Sequence, residues 1–107
     1  MAIAEISVVP IGTKTPSLSK YVARVLQVLQ DQKEVTYELT AMGTILEGDL
    51  DKVMKLIQKM HESAFSDEIA RVVTTIKIDD RRDKVSTRDS KIKSVEKELG
   101  QTERRSQ

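Results

Sequence analysis

Apolar residues along this 107-residue chain alternate between a two-residue period and a helical one, and the order of these patterns predicts an α+β fold. The fold expected is a four-stranded antiparallel sheet covered by two helices on one face, with an extra C-terminal helix. Three observations carry it. Segments rich in β-branched residues alternate apolar with polar positions near both ends and in the middle of the first 80 residues. Two stretches with helical spacing lie between them. Charge is concentrated at the end, with nine basic and seven acidic residues among positions 79–107, which marks a compact body followed by a solvated segment.

Residues 2–9 read as the first strand, with Ala4, Ile6 and Val8 on one face and Ile3, Glu5, Ser7 and Val9 on the other. Pro10 and Gly12 end it. Ser17 is placed to cap a helix over residues 17–32, whose stripe is Leu18, Val22, Val25, Leu26 and Leu29. Residues 35–41 alternate again, and a break at Met42-Gly43 leads into a short strand at 44–47, so the two form a hairpin.

Asp49 is positioned to cap a second helix over residues 50–64, with Leu50, Val53, Met54, Ile57 and His61 facing inward. Residues 69–78 form the last strand. Residues 86–99 are expected to form the appended helix, with the narrow stripe Ile92, Val95 and Leu99 and Gly100 as its stop. Residues 1–99 then make one domain, and 100–107 are expected to be disordered. The order strand, helix, strand, strand, helix, strand is the split βαβ, or ferredoxin-like, arrangement.

Composition excludes several functions. There is no cysteine, so no thiol nucleophile, thiolate metal site or disulfide. His61 is the single histidine, which leaves little material for a histidine metal cluster or a His-paired catalytic dyad. Tyr21, Tyr37 and Phe65 are the only aromatic residues, too few for a base-stacking platform, and the net charge of +1 gives no basic field for phosphates. No apolar run approaches the roughly 20 residues of a membrane helix. The first residues carry Glu5 and no basic cluster, unlike a secretory signal. A cytoplasmic protein without membrane or nucleic-acid partners is expected.

On the sheet face away from the helices, Glu5, Ser7 and Val9 are expected beside Thr36, Glu38 and Thr40, with Thr44 and Glu47 bracketing the third strand. Such a mixed face suits self-association or a ligand groove. The bland alternatives are a solvated sheet surface for Glu5 and the hydroxyls, helix-dipole support for Glu47, and a boundary position for His61. The alternating charges of Asp79-Asp80-Arg81-Arg82-Asp83-Lys84 read as a self-neutralising linker, not as a metal site. Other occupants of this fold fail on their own requirements. The expected central strands have no aromatics for RNA, and the loop Pro10-Ile11-Gly12-Thr13-Lys14-Thr15-Pro16-Ser17 has neither a Cys-x-x-Cys pair nor the arginine of an acyl-phosphate cradle.

Three segments carry a more specific signal. Pro10-Ile11-Gly12-Thr13 is followed by Ser17-Leu18-Ser19-Lys20-Tyr21-Val22. The hairpin holds Met42-Gly43-Thr44-Ile45-Leu46-Glu47-Gly48, and the last strand reads Arg71-Val72-Val73-Thr74-Thr75-Ile76-Lys77-Ile78. Over residues 1–98 the chain resembles the small thiamine-binding protein family of YkoF-like single domains. The resemblance implies a ferredoxin-like fold whose open sheet faces pair in dimers, with dimers pairing into tetramers. It also implies binding of thiamine or its hydroxymethylpyrimidine moiety, without catalysis and without a cofactor.

An aminopyrimidine presents an amine donor and ring-nitrogen acceptors. Glu47 is suited to accept from the amine, and Ser7, Thr13 and Thr44 to donate hydroxyls. Met42 offers a soft wall, and Lys14 suits a phosphate if the ligand is phosphorylated. The candidate ligand site is therefore Ser7, Thr13, Met42, Thr44 and Glu47, with no catalytic and no metal residue. The competing expectation is a structural or regulatory oligomerisation module with no small ligand. An enzyme ranks third, because no nucleophile–base pair stands at readable spacing.

Overall fold

The computed structural model describes residues 1–12, 19–83 and 92–99. Its elements are β1 (Ala2–Ile11), α1 (Ser19–Gln30), β2 (Thr36–Thr40), β3 (Gly43–Gly48), α2 (Leu50–Ser63) and β4 (Arg71–Asp80), followed by a helical stretch at 92–99, here α3. The four strands form one antiparallel sheet in the order β2-β3-β1-β4, so β1 and β3 are central. This is the ferredoxin-like arrangement.

The pleat fixes which residues meet the helices. Ala2, Ala4 and Ile6 of β1 lie opposite Gly48, Leu46 and Thr44 of β3, and all six are buried. With Leu29 and Val35 and with Val53, Leu56, Ile57 and Met60 of α2, these strand residues build one aliphatic core. Tyr37 is the aromatic residue packed against it. The opposite face, carrying Glu5, Val9, Val73 and Thr75, has no helix over it and is largely exposed.

Local chemistry explains the ends of the elements. The Gln32 side chain accepts from the Val35 N–H at 2.8 Å and donates to the Leu29 carbonyl at 3.0 Å. It therefore closes α1 and fixes the entry to β2, two residues short of the expected helix end. Ser17, the expected cap, lies outside the described residues. Asp49 is extended and precedes α2, but its side chain makes no capping bond; its carbonyl accepts from Val53 N–H at 2.9 Å, and its carboxylate lies 3.9 Å from Lys52.

β1 runs through Pro10 to Ile11, further than the expected stop. Beyond Ile6, β1 is paired with β4 alone, so a residue without an N–H is tolerated there. Gly12, at φ 84°, then breaks the strand. β4 starts and ends two residues later than expected, with Ile69 buried just ahead of it. Of the appended helix, 92–99 is helical, and residues 86–91 lie outside the described residues.

The hairpin turn is Ala41-Met42, one residue earlier than the sequence pattern indicated, because Thr40 pairs with Gly43. Neither turn residue has a positive φ, so the turn is not of the primed types. The Thr40 hydroxyl holds it by donating to the Gly43 carbonyl at 2.9 Å and accepting from the Met42 N–H at 3.3 Å. Gly43 is required by close approach: a Cβ there would stand 2.7 Å from the Ile6 carbonyl oxygen.

Candidate functional site

The shortness of the β1–β3 pairing creates a cavity. β3 begins opposite the middle of β1, so among the described residues the second half of β1 has no strand partner on that side. The hairpin tip overhangs this edge, and the N-terminal half of α1 stands over it without closing onto the sheet. Between them is a cavity of about 360 Å³, at the lower end of the roughly 300–1,000 Å³ usual for small-molecule sites.

The α1 stripe shows the same gap. Val22, expected in the core, is 54% exposed, while Tyr21 is turned inward and buried. Leu29, one end of the expected stripe, is fully buried, and Val25 and Leu26 between them are half-buried. The helix is thus anchored at its C-terminal end and through Tyr21. The guanidinium of Arg24 lies 5.4 Å from the centre of the Tyr21 ring.

The walls of the cavity are mainly apolar, from Val8, Tyr21, Leu26, Leu39 and Met42, and no charged side chain among the described residues lines it. Thr44 lines it as well. This residue is only 8% exposed, and its hydroxyl makes no hydrogen bond to another described residue.

The expected site residues divide. Ser7, Met42 and Thr44 border the cavity. Met42 is 84% exposed at the hairpin tip and forms the rim. Thr44 was expected on the open sheet face; it lies instead on the helix-covered face, because it stands opposite Ile6. Glu47 stands opposite Ile3 and Thr36 on the uncovered face and does not line the cavity. Thr13 and Lys14 lie outside the described residues. Of the two tyrosines available to stack on a flat ring, Tyr21 lines the cavity and Tyr37 does not, and Leu39 was missed as a lining residue. Leu39 carried a signal, since its alternation puts it on the inner face although it lies at the far edge of the sheet.

A second concavity, about 450 Å³, lies between α2 and β4 and includes Met54, Ile57, His61 and Ile76. There His61 Nδ1 is 2.7 Å from the Thr74 hydroxyl, and its ring meets Phe65 edge-on at 5.3 Å. His61 is thus held as a boundary residue. The inward stripe of α2 is Val53, Leu56, Ile57 and Met60, whereas Met54, expected inside, is exposed.

At the end of β4, Arg81 makes a two-pronged pair with Asp83, and Arg82 pairs with Asp80. These hydrogen bonds raise both guanidinium pKa values above the ordinary arginine value. Among the described residues no helix is long and apolar enough to cross a membrane.

A family model described as thiamine-binding protein matches residues 4–96. UPF0045 protein YqgV of Bacillus subtilis is 49% identical over 102 residues, spanning 92% of this chain and 98% of that one. A hypothetical protein of Methanocaldococcus jannaschii has a crystal structure that superposes with a TM-score of 0.77 at 40% identity, over 88% of this chain and 94% of its own. A crystal structure described as a putative thiamine biosynthesis/salvage protein from Thermotoga maritima shares the fold, with a TM-score of 0.70 at 18% identity over 87% of this chain and 97% of its own. With the family model spanning nearly all of the described body and near-full-length relatives at this identity, the chain belongs to the thiamine-binding protein family.

Proposed function

We propose that this protein binds thiamine or its hydroxymethylpyrimidine moiety in the cavity between α1, β1 and the β2–β3 hairpin, without catalysing a reaction on it. The observation that carries the reading is Thr44, a mostly buried residue whose hydroxyl has no described partner, on the wall of an otherwise largely apolar cavity in a chain of this family. A flat aminopyrimidine fits such a site: its faces pack on Leu39, Leu26 and the Tyr21 ring, and one edge hydrogen-bonds to Thr44. Because the described lining carries no charge, the ring recognised is the neutral pyrimidine. A thiazolium or phosphate is left at the mouth, toward the Met42 rim.

The protein acts in the cytoplasm as a homo-oligomer, a dimer of dimers, with the uncovered sheet faces paired. Support for the pairing comes from Val9 and Val73, which lie side by side, exposed, on that face. Glu47 belongs to this contact, not to the ligand. No catalytic role is assigned, since the cavity wall offers no nucleophile with an adjacent base among its described residues.

Calorimetric titration with thiamine and with hydroxymethylpyrimidine tests the reading. Saturable heat is expected with the wild-type chain, and a loss of about tenfold in affinity with Thr44→Val. No heat and no thermal shift at millimolar ligand would overturn it in favour of an assembly module.

A further inference from the structure

Among the described residues, apolar side chains stand exposed both along the α2–β4 groove and on one face of α3, and the two surfaces correspond in length and charge. On the helix-covered side of β4, Ile76 and Ile78 are exposed, and across the groove Met54 of α2 is exposed as well. β4 is an edge strand, and α2 covers only part of its inner face. All eight residues of α3 are exposed, including Ile92, Val95 and Leu99, each more than half exposed.

Ile92, Val95 and Leu99 put apolar side chains in water along the described stretch of α3, an exposure that packing against another surface relieves. The described body of its own chain does not supply that packing, since residues 92–99 are all exposed.

Ile92, Val95 and Leu99 lie on one face and span about 10 Å at 1.5 Å per residue. The inner face of β4 from Thr74 to Ile78 spans about 13 Å. On α3, Glu96 borders the apolar stripe, while Lys93 and Lys97 fall on the far side of the helix. Lys55 of α2 lines the groove, so a helix seated there brings a carboxylate toward an ammonium and keeps its own lysines in water.

We infer that the α2–β4 groove of one copy takes the α3 helix of a second copy, with Ile92, Val95 and Leu99 packed against Met54, Ile76 and Ile78. A two-fold arrangement makes the exchange reciprocal, so each pair of chains fills two grooves. This inference rests on the oligomeric part of the proposed function and not on the ligand.

The chain has no cysteine, so engineered pairs report cleanly. Val95→Cys and Ile76→Cys are placed in two differently tagged copies, which are co-expressed, oxidised and resolved on a non-reducing gel. A cross-linked heterodimer is expected in at least tenfold excess over the pairing of Val95→Cys with Lys59→Cys, which lies on the exposed side of α2. Two results overturn the inference: equal yields from the two pairings, or a double variant Val95→Cys/Ile76→Cys that forms only an intrachain disulfide, which would seat α3 on its own body. Sedimentation of the untreated protein separates the two levels. A monomer contradicts both the oligomer and the exchange, whereas an oligomer without the cross-link contradicts the exchange alone.

Discussion

Thr44 and Glu47 both lie on β3 yet point to opposite faces of the sheet: Thr44 stands opposite Ile6, beneath the helices, and Glu47 opposite Ile3, on the uncovered side. The two residues therefore cannot contact the same small ring. Glu47→Gln should leave pyrimidine affinity within about twofold, while Thr44→Val should reduce it about tenfold, the effect of roughly 1.4 kcal/mol at the upper end of a single hydrogen bond. Calorimetry on the two variants side by side checks this.

Gly43 should tolerate no side chain. A Cβ at that position stands 2.7 Å from the backbone oxygen of Ile6, which cannot rotate away. Gly43→Ala should cost about 1–3 kcal/mol, as overpacked sites do. Gly48→Ala, where the nearest atom is the Val35 Cγ2 at 3.4 Å, should cost less than Gly43→Ala. Urea unfolding of both variants gives the comparison.

The aliphatic core should respond as a packed unit. Leu46→Ala and Leu29→Ala remove fully buried side chains and should each cost about 2–5 kcal/mol. Met42→Ala at the exposed hairpin tip should stay within about 0.5 kcal/mol in unfolding.

The bond between His61 and Thr74 ties α2 to the edge strand β4. A double-mutant cycle with His61→Ala and Thr74→Val should return a coupling of about 0.5–1.5 kcal/mol, measured by denaturant unfolding. A coupling near zero would mean that the edge strand is held by its β1 ladder alone.

Val73 lies exposed beside Val9 on the uncovered face. Val73→Asp should shift the protein to a smaller species in analytical ultracentrifugation while its far-ultraviolet circular dichroism is unchanged, because the face contributes nothing to the core of the single chain.

The element order and the central position of β1 and β3 were legible because period-two and helical spacings are strong signals in Ala4–Ile6–Val8 and Val53–Ile57–Met60. The face of Thr44 was legible too, but was misassigned: two residues from Leu46 and three from Glu47, it alternates onto the covered face with Leu46 and away from Glu47.

The cavity was invisible in the sequence. It arises from where the β1–β3 ladder stops and from α1 being anchored at Leu29 and Tyr21 while Val22 is left half-exposed at the cavity. Both follow from three-dimensional spacing and not from any local pattern. The same residues that read as a helix stripe, Val25 and Leu26, serve as core and as cavity wall at once.

A crystal structure grown with hydroxymethylpyrimidine tests the central claim most directly. Ring density is predicted between Leu39, Tyr21 and Leu26, with a ring nitrogen or the amine within hydrogen-bond distance of the Thr44 hydroxyl. Density on the uncovered face beside Glu47, or a cavity that stays free of ligand at saturating concentration, would contradict the account.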